Sequence, residues 1–168
     1  MIKSRGIPSS ESFWLPAYYS DEIRQFQDEN ETLTRSIWKI EEIINFIFPK
    51  KYQEKYYEIA TAFMQTLFSH YGTLNSNDIA NFVKSNNISK STFYNRVLPR
   101  LKRLGLIRVK RETEYGSNKK YRRMKIEISK TFGNYLLKIA NSWLAHVDDI
   151  REQRQMEERK EKESNQEK

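Results

Sequence analysis

The sequence predicts a mainly α-helical protein with one small β-hairpin, and three patterns predict it. Apolar residues recur at helical spacing in residues 20–48, 50–70, 75–84, 89–104 and 129–150. Residues 106–114 and 120–128 are instead β-rich, and they bracket the turn-forming run Tyr115, Gly116, Ser117, Asn118 and Lys119. The breakers Pro49, Gly72 and Gly105 fall between these stretches.

Residues 1–19 contain Gly6, Pro8, Ser9, Ser10 and Pro16 and read as an irregular arm. Lys3 and Arg5 are candidates to reach a nucleic-acid groove, although a plain tail is the simpler expectation. Phe13, Trp14, Tyr18 and Tyr19 would be a sticky patch in water, so they are expected to pack on this chain, on a second copy or on another protein.

In residues 20–48, Ile23, Phe26, Asn30, Leu33, Ile37, Ile40, Ile44 and Ile47 follow one another at spacings of three and four. This is a heptad seam with one polar position, Asn30, and it predicts a long dimerisation helix. An ordinary amphipathic helix on its own domain is the competing reading, and Trp38, Ile43 and Phe46 favour it for the second half. In residues 50–70, Tyr52, Tyr56, Ile59, Phe63 and Leu67 give one buried stripe. Gly72, Thr73 and Leu74 suit a short strand that pairs with the hairpin.

Asn75 and Asp78 form a capping box for the next helix, on which Ile79, Ala80 and Val83 are expected to face inward. Ser85, Asn86 and Asn87 break the pattern, Ile88 anchors the turn, and Ser89 is the next cap. Phe93, Val97, Leu101 and Leu104 then form an inward stripe, and Gly105 ends the helix. Pro99 lies inside this helix and removes one backbone donor, so a kink is expected there. In residues 129–150 Phe132, Leu136, Ile139, Trp143 and Ile150 make a second seam, capped at Ser129, that is expected to pair with the helix of residues 20–48, with its own copy as a dimerisation helix, or with both. Residues 151–168 are wholly polar, and a solvated tail or frayed extension is expected.

Charge is concentrated. Residues 96–125 carry twelve basic residues against Glu112 and Glu114, while the whole chain carries a net charge of +8. A polyanion is the expected partner of that segment. The chain has no cysteine, which removes disulfides, thiol catalysis and cysteine metal sites. His70 and His146 are far apart, five scattered glycines make no phosphate loop, and no residues group as a catalytic constellation. No enzyme activity, metal or cofactor is expected. Without an apolar leader or membrane span, a cytoplasmic, nucleoid-associated protein with no membrane partner is expected.

Three stretches carry a family resemblance. They are Leu74-Asn75-Ser76-Asn77-Asp78-Ile79-Ala80, Ile88-Ser89-Lys90-Ser91-Thr92-Phe93, and Leu101-Lys102-Arg103-Leu104-Gly105-Leu106-Ile107 followed by the basic hairpin. Together they resemble the winged helix-turn-helix superfamily, in the manner of small PadR-like and MarR-like regulators. The likeness covers residues 55–128, with the whole domain expected over residues 50–128. It implies a homodimer on double-stranded DNA acting as a transcriptional regulator, with an architectural, replication or segregation adaptor as the alternative. On the helix after Ser89, a turn of about 100° per residue sets Ser91, Thr92 and Asn95 opposite the apolar stripe, with Lys90, Tyr94 and Arg96 at its flanks. Asn95 and Arg96 are the expected base readers, and Ser89, Ser91 and Thr92 suit phosphate at the helix N-terminus. Arg111, Lys119, Lys120, Arg122 and Arg123 of the hairpin are expected to hold the backbone.

Overall fold

The computed structural model describes residues 13–21, 23, 26–115 and 120–166, and excludes the side chains of residues 113–115, 120–122 and 165–166. Lys3, Arg5 and Lys119, singled out above, lie outside the described residues. The chain divides into two compact units, Met1–Ser129 and Lys130–Lys168. In the first, helices α1 (Ile40–Asn45), α2 (Lys50–Ser69) and α3 (Ser76–Ser85) are followed by α4 (Lys90–Thr92), a π-helical turn (Phe93–Val97) and α5 (Leu98–Leu104), which run end to end. Strands β1 (Thr73–Leu74), β2 (Ile107–Tyr115) and β3 (Lys120–Ile128) form one antiparallel sheet in the order β1-β3-β2. The second unit is a single helix, α6 (Thr131–Gln166).

The predicted helix over residues 20–48 is not formed. Among its described residues only the last part is helical, as α1, and residues 26–39 are a loop closed by a bridge between Gln27 and Leu33. The Asp28 carboxylate accepts from the Asn30 and Thr32 amides at 2.9 and 2.8 Å, and the Thr34 amide donates to Phe26 O. Short polar side chains that bond their own backbone compete with helix formation, and here they win. Asn30 is therefore an exposed loop residue, Leu33 and Ile37 are exposed, and Ile23 and Phe26 are half-buried. Ile40 begins α1 half-buried, while Ile44, Ile47 and Phe48 belong to this unit's own core. Ahead of Ile40 the described seam residues have no helix to run on.

Of the aromatic arm, Phe13 stacks on Phe46 at 5.8 Å and the Trp14 amide donates to Phe46 O, whereas Tyr18 and Tyr19 are exposed. Trp38 stacks on Phe46 at 5.0 Å.

The core sits where α2, α3 and the π turn meet. Phe63 of α2 makes edge contacts with Phe82 at 5.4 Å and Phe93 at 5.1 Å, and all three rings are buried. Each such pair adds about 0.5–1.5 kcal/mol to its area term, so this triad fixes how the helices cross. Ile59, Ala60, Met64 and Leu67 complete the inner face of α2; Tyr52, expected there, is exposed. On α3 the inner residues are Ile79, Phe82 and Val83, and Ala80, expected among them, faces out.

Local signals explain the joints. The Asn75 Oδ1 accepts from the Asn77 and Asp78 amides, and the Asp78 carboxylate accepts from the Asn75 amide at 3.0 Å, which completes the capping box. At Gly105 the backbone turns left-handed (φ 81°), and the Leu106 amide reaches back to Leu101 O at 3.1 Å. Gly72 also has φ 81°, and a Cβ there would meet Ile128 Cγ2 at 2.7 Å, so β1 approaches β3 only with glycine at that corner.

Helix α6 begins at Thr131, and the Ser129 amide just before it donates to Leu106 O. It runs for 36 residues, so the polar stretch after residue 150 is helical as far as Gln166 instead of a loose tail. An i,i+4 pair between Arg154 Nε and Glu158 Oε1 at 2.8 Å supports that extension. Along the helix Phe132 and Leu136 are half-buried, while Ile139, Trp143 and Ile150 are exposed.

Candidate nucleic-acid interface

Two helices and a turn build the first half of the site. After α3 the chain reverses through Asn87 at φ 50°, and the Ile88 amide donates to Val83 O at 2.9 Å. Ser89 occupies the N-cap position of α4, but its side chain makes no capping hydrogen bond, so its hydroxyl faces solvent unspent.

The Pro99 effect is a wider turn rather than a sharp kink. Proline has no amide to give the carbonyl of Asn95 and its ring crowds that carbonyl. The turn before it loosens to π geometry, and the Leu98 amide donates to Phe93 O, five residues back. That change rotates the inward face beyond residue 97. Phe93, Val97 and Leu101 are fully buried as expected, but Leu98 and Arg100 join them, and Leu104 is only half-buried.

The opposite face presents the predicted contact residues. Lys90, Ser91, Asn95 and Arg96 are exposed, and Thr92 and Tyr94 are half-buried. Asn95 Nδ2 donates to Ser91 Oγ at 3.2 Å, which holds the amide across the exposed face. The Tyr94 ring stands edge-on to Phe93 at 5.1 Å, and burial pushes its hydroxyl pKa up, so it remains a protonated donor at neutral pH.

The basic hairpin makes the second half. Ser76 Oγ donates to Met124 O and accepts from the Met124 amide, both at 2.8 Å, so the first residue of α3 is clamped to β3. Strand alternation sorts the charges. On one face Lys110 pairs with Glu127 at 2.7 Å, and Lys125 reaches both Glu127 at 3.5 Å and Glu112 at 3.7 Å. Glu127 is held below the ordinary glutamate pKa, chiefly by its hydrogen bond from Lys110. Arg111 is on the other face and exposed. The register pairs Arg122 with Thr113 and Lys120 with Tyr115, which are positions of the same face as Arg111; their side chains lie outside the described residues. Arg123 is exposed, on the ion-paired face, opposite Glu112.

One basic residue leaves the site altogether. Arg100 is buried: Nη1 donates to Ile47 O at 3.0 Å and to Gln53 Oε1 at 2.9 Å, and its guanidinium lies over the Phe48 ring at 5.0 Å. The acceptors stand at the α1–α2 junction, where α2 kinks at Gln53. Arg100 is therefore a strut between that junction and α5. Counting charges in the sequence places it on the surface, and only the altered phase after the π turn reveals its role.

Among the described residues no group of His, Asp or Glu is arranged to hold a metal, and no helix is long and apolar enough to cross a membrane. No protein-family model matches the chain, and no curated protein matches it.

Proposed function

We propose that residues 40–128 form a winged helix-turn-helix domain that binds double-stranded DNA. The exposed strip of Ser91, Asn95 and Arg96 carries the reading: it lies on a helix braced across α3 by a buried aromatic triad, beside a clamped basic hairpin. In this reading α4 and the π turn enter the major groove. Asn95 reads adenine, Arg96 reads guanine or grips phosphate, and Ser89, Ser91 and Thr92 meet the backbone at the helix start. Arg111, with the neighbouring basic positions of the hairpin, holds the flanking phosphates.

The protein acts as a dimer that sets two such helices about 34 Å apart, and regulation of transcription is the primary use. The alternative is an adaptor that spreads on DNA. Titration of a random-sequence duplex at several salt concentrations tests the contact itself. Affinity should fall with salt at a slope of about 0.9 per neutralised phosphate, and absence of binding at low salt would overturn the reading. Footprinting separates the two uses. A short protected palindrome favours the regulator, and protection that grows with protein concentration favours spreading.

A further inference from the structure

The apolar face of α6 has a shape that says what should cover it. Tyr135, Ile139, Trp143 and Ile150 lie along one side of the helix and are all more than half exposed, Trp143 at 67%. Four such side chains amount to roughly 400 Å² of apolar surface, within the range of the largest patch usually found on a monomer. We propose that this face is covered by a second copy of α6 running antiparallel over residues 132–150, with the two-fold axis beside Asn141.

Two observations choose this occupant and direction. The first is self-complementarity. The seam positions 132, 136, 139, 143, 146 and 150 map onto themselves when the helix is reversed about residue 141. Phe132 then packs on Ile150 of the second copy, Leu136 on its His146 and Ile139 on its Trp143, so large and small side chains alternate along the contact. Flanking positions also agree. Gly133, Ala140 and Val147 line one side, and a Cβ at Gly133 would meet nothing within 4 Å, which leaves room for a neighbouring helix. On the other side Tyr135 comes opposite Asp149 of the second copy, a hydroxyl facing a carboxylate.

The second observation is charge. Beyond Ile150 the same seam continues as Gln153, Glu157 and Lys160 on an unbroken helix. A parallel pairing in register would set Glu157 against Glu157 and Lys160 against Lys160, with the charged extensions side by side. Like charges facing one another across a helix pair are destabilising. The antiparallel pairing ends at residue 150 on both copies and sends the extensions apart into solvent. This proposal rests on the dimeric part of the reading above but not on its DNA contact.

The test uses the full chain, whose lack of cysteine makes a single label unambiguous. Gln155→Cys carries a spin label on the solvent side, fourteen residues from the axis. At 1.5 Å rise per residue, the antiparallel pair puts the two labels about 42 Å apart. A parallel pair puts them within about 20 Å, since paired helix axes are about 10 Å apart. Sedimentation of the wild type should give a dimer at micromolar concentration. Trp143→Glu should shift it to monomer with its circular dichroism unchanged, because that side chain is outside the chain's own core. A monomeric wild type, a label distance below about 20 Å, or a Trp143→Glu protein that stays dimeric overturns the proposal. A monomer that still binds duplex DNA would remove this pairing and leave the DNA reading intact. A dimer with the long label distance and no DNA affinity would do the reverse.

Discussion

Replacing Arg100 separates architecture from electrostatics in one residue. Arg100→Met keeps the apolar stem and deletes the guanidinium, so Ile47 O and Gln53 Oε1 lose a charged donor at 3.0 and 2.9 Å, and Phe48 loses the cation over its ring. Hydrogen bonds to a charged group contribute about 1.5–3 kcal/mol each, and a desolvated cation–π contact about 2 kcal/mol. Removing the burial cost of the charge offsets part of that sum. The net loss expected is about 2–4 kcal/mol, a large part of the roughly 5–15 kcal/mol by which a domain is stable. For a unit of this size, the midpoint of thermal unfolding should fall by about 7–15 °C. Urea titration monitored by tryptophan fluorescence, with Trp14 and Trp38 near the α1–α2 junction, measures the loss directly. The same variant, assayed for DNA binding well below its midpoint, should keep the wild-type salt slope. A loss under 1 kcal/mol together with a shallower salt slope would refute the reasoning, since that pattern belongs to a surface phosphate contact.

Four further outcomes are expected. Arg96→Ala and Arg111→Ala should each weaken binding to every duplex and reduce the salt slope by about 0.9, which anisotropy titrations over a salt series measure. Asn95→Ala should cost about 1–3 kcal/mol on a specific site and little on random DNA; an equal loss on both would make Asn95 a backbone contact. Glu127→Gln should strengthen non-specific binding and steepen the salt slope, because it releases Lys110 from its carboxylate partner. In the absence of DNA, the Glu127 pairings should support the hairpin above the ordinary glutamate pKa and be lost as pH falls through the lowered value, since the folded state holds the carboxylate below its unfolded pKa. Hydrogen exchange of β2 and β3 amides between neutral and strongly acidic pH checks that direction, and Glu127→Gln should abolish the dependence.

The region from α2 through β3 was legible because each joint carries a local signal. Asn75 and Asp78 announce a helix start, Gly105 a helix end, and the alternation on both sides of the turn announces a hairpin. The exposed strip of Ser91, Asn95 and Arg96 was legible for the same reason: it lies before the phase shift caused by Pro99. Residues 20–39 were misread because spacing alone was trusted there. Between the seam residues Ile23, Phe26, Leu33 and Ile37, the Asp28 carboxylate accepts from the Asn30 and Thr32 amides and the Thr34 hydroxyl donates to Phe26 O, and these short-range bonds outcompete a helix. Arg100 was hidden because its partners, Ile47 and Gln53, are about fifty residues away in sequence, and no periodicity reports a long-range acceptor. The charge sorting on the hairpin needed the register, since Glu127 lies just outside the basic run whose lysines it neutralises.

The π turn at Phe93–Val97 divides one rod into two independently indexed halves. Before its end, Lys90, Ser91, Asn95 and Arg96 present their side chains outward; downstream, residues 98–104 lock the rod to the rest of the unit through Leu98, Arg100 and Leu101. Contact rules that count positions from the start of an unbroken helix therefore still place Leu101 inward but miss Leu98 and Arg100 and over-bury Leu104. The division also makes the outward half interchangeable. Substitutions at Ser91, Asn95 and Arg96 touch neither the Phe63–Phe93 contact nor the Arg100 strut, so on the proposed DNA-binding reading a new specificity could be installed in those positions without refitting the core.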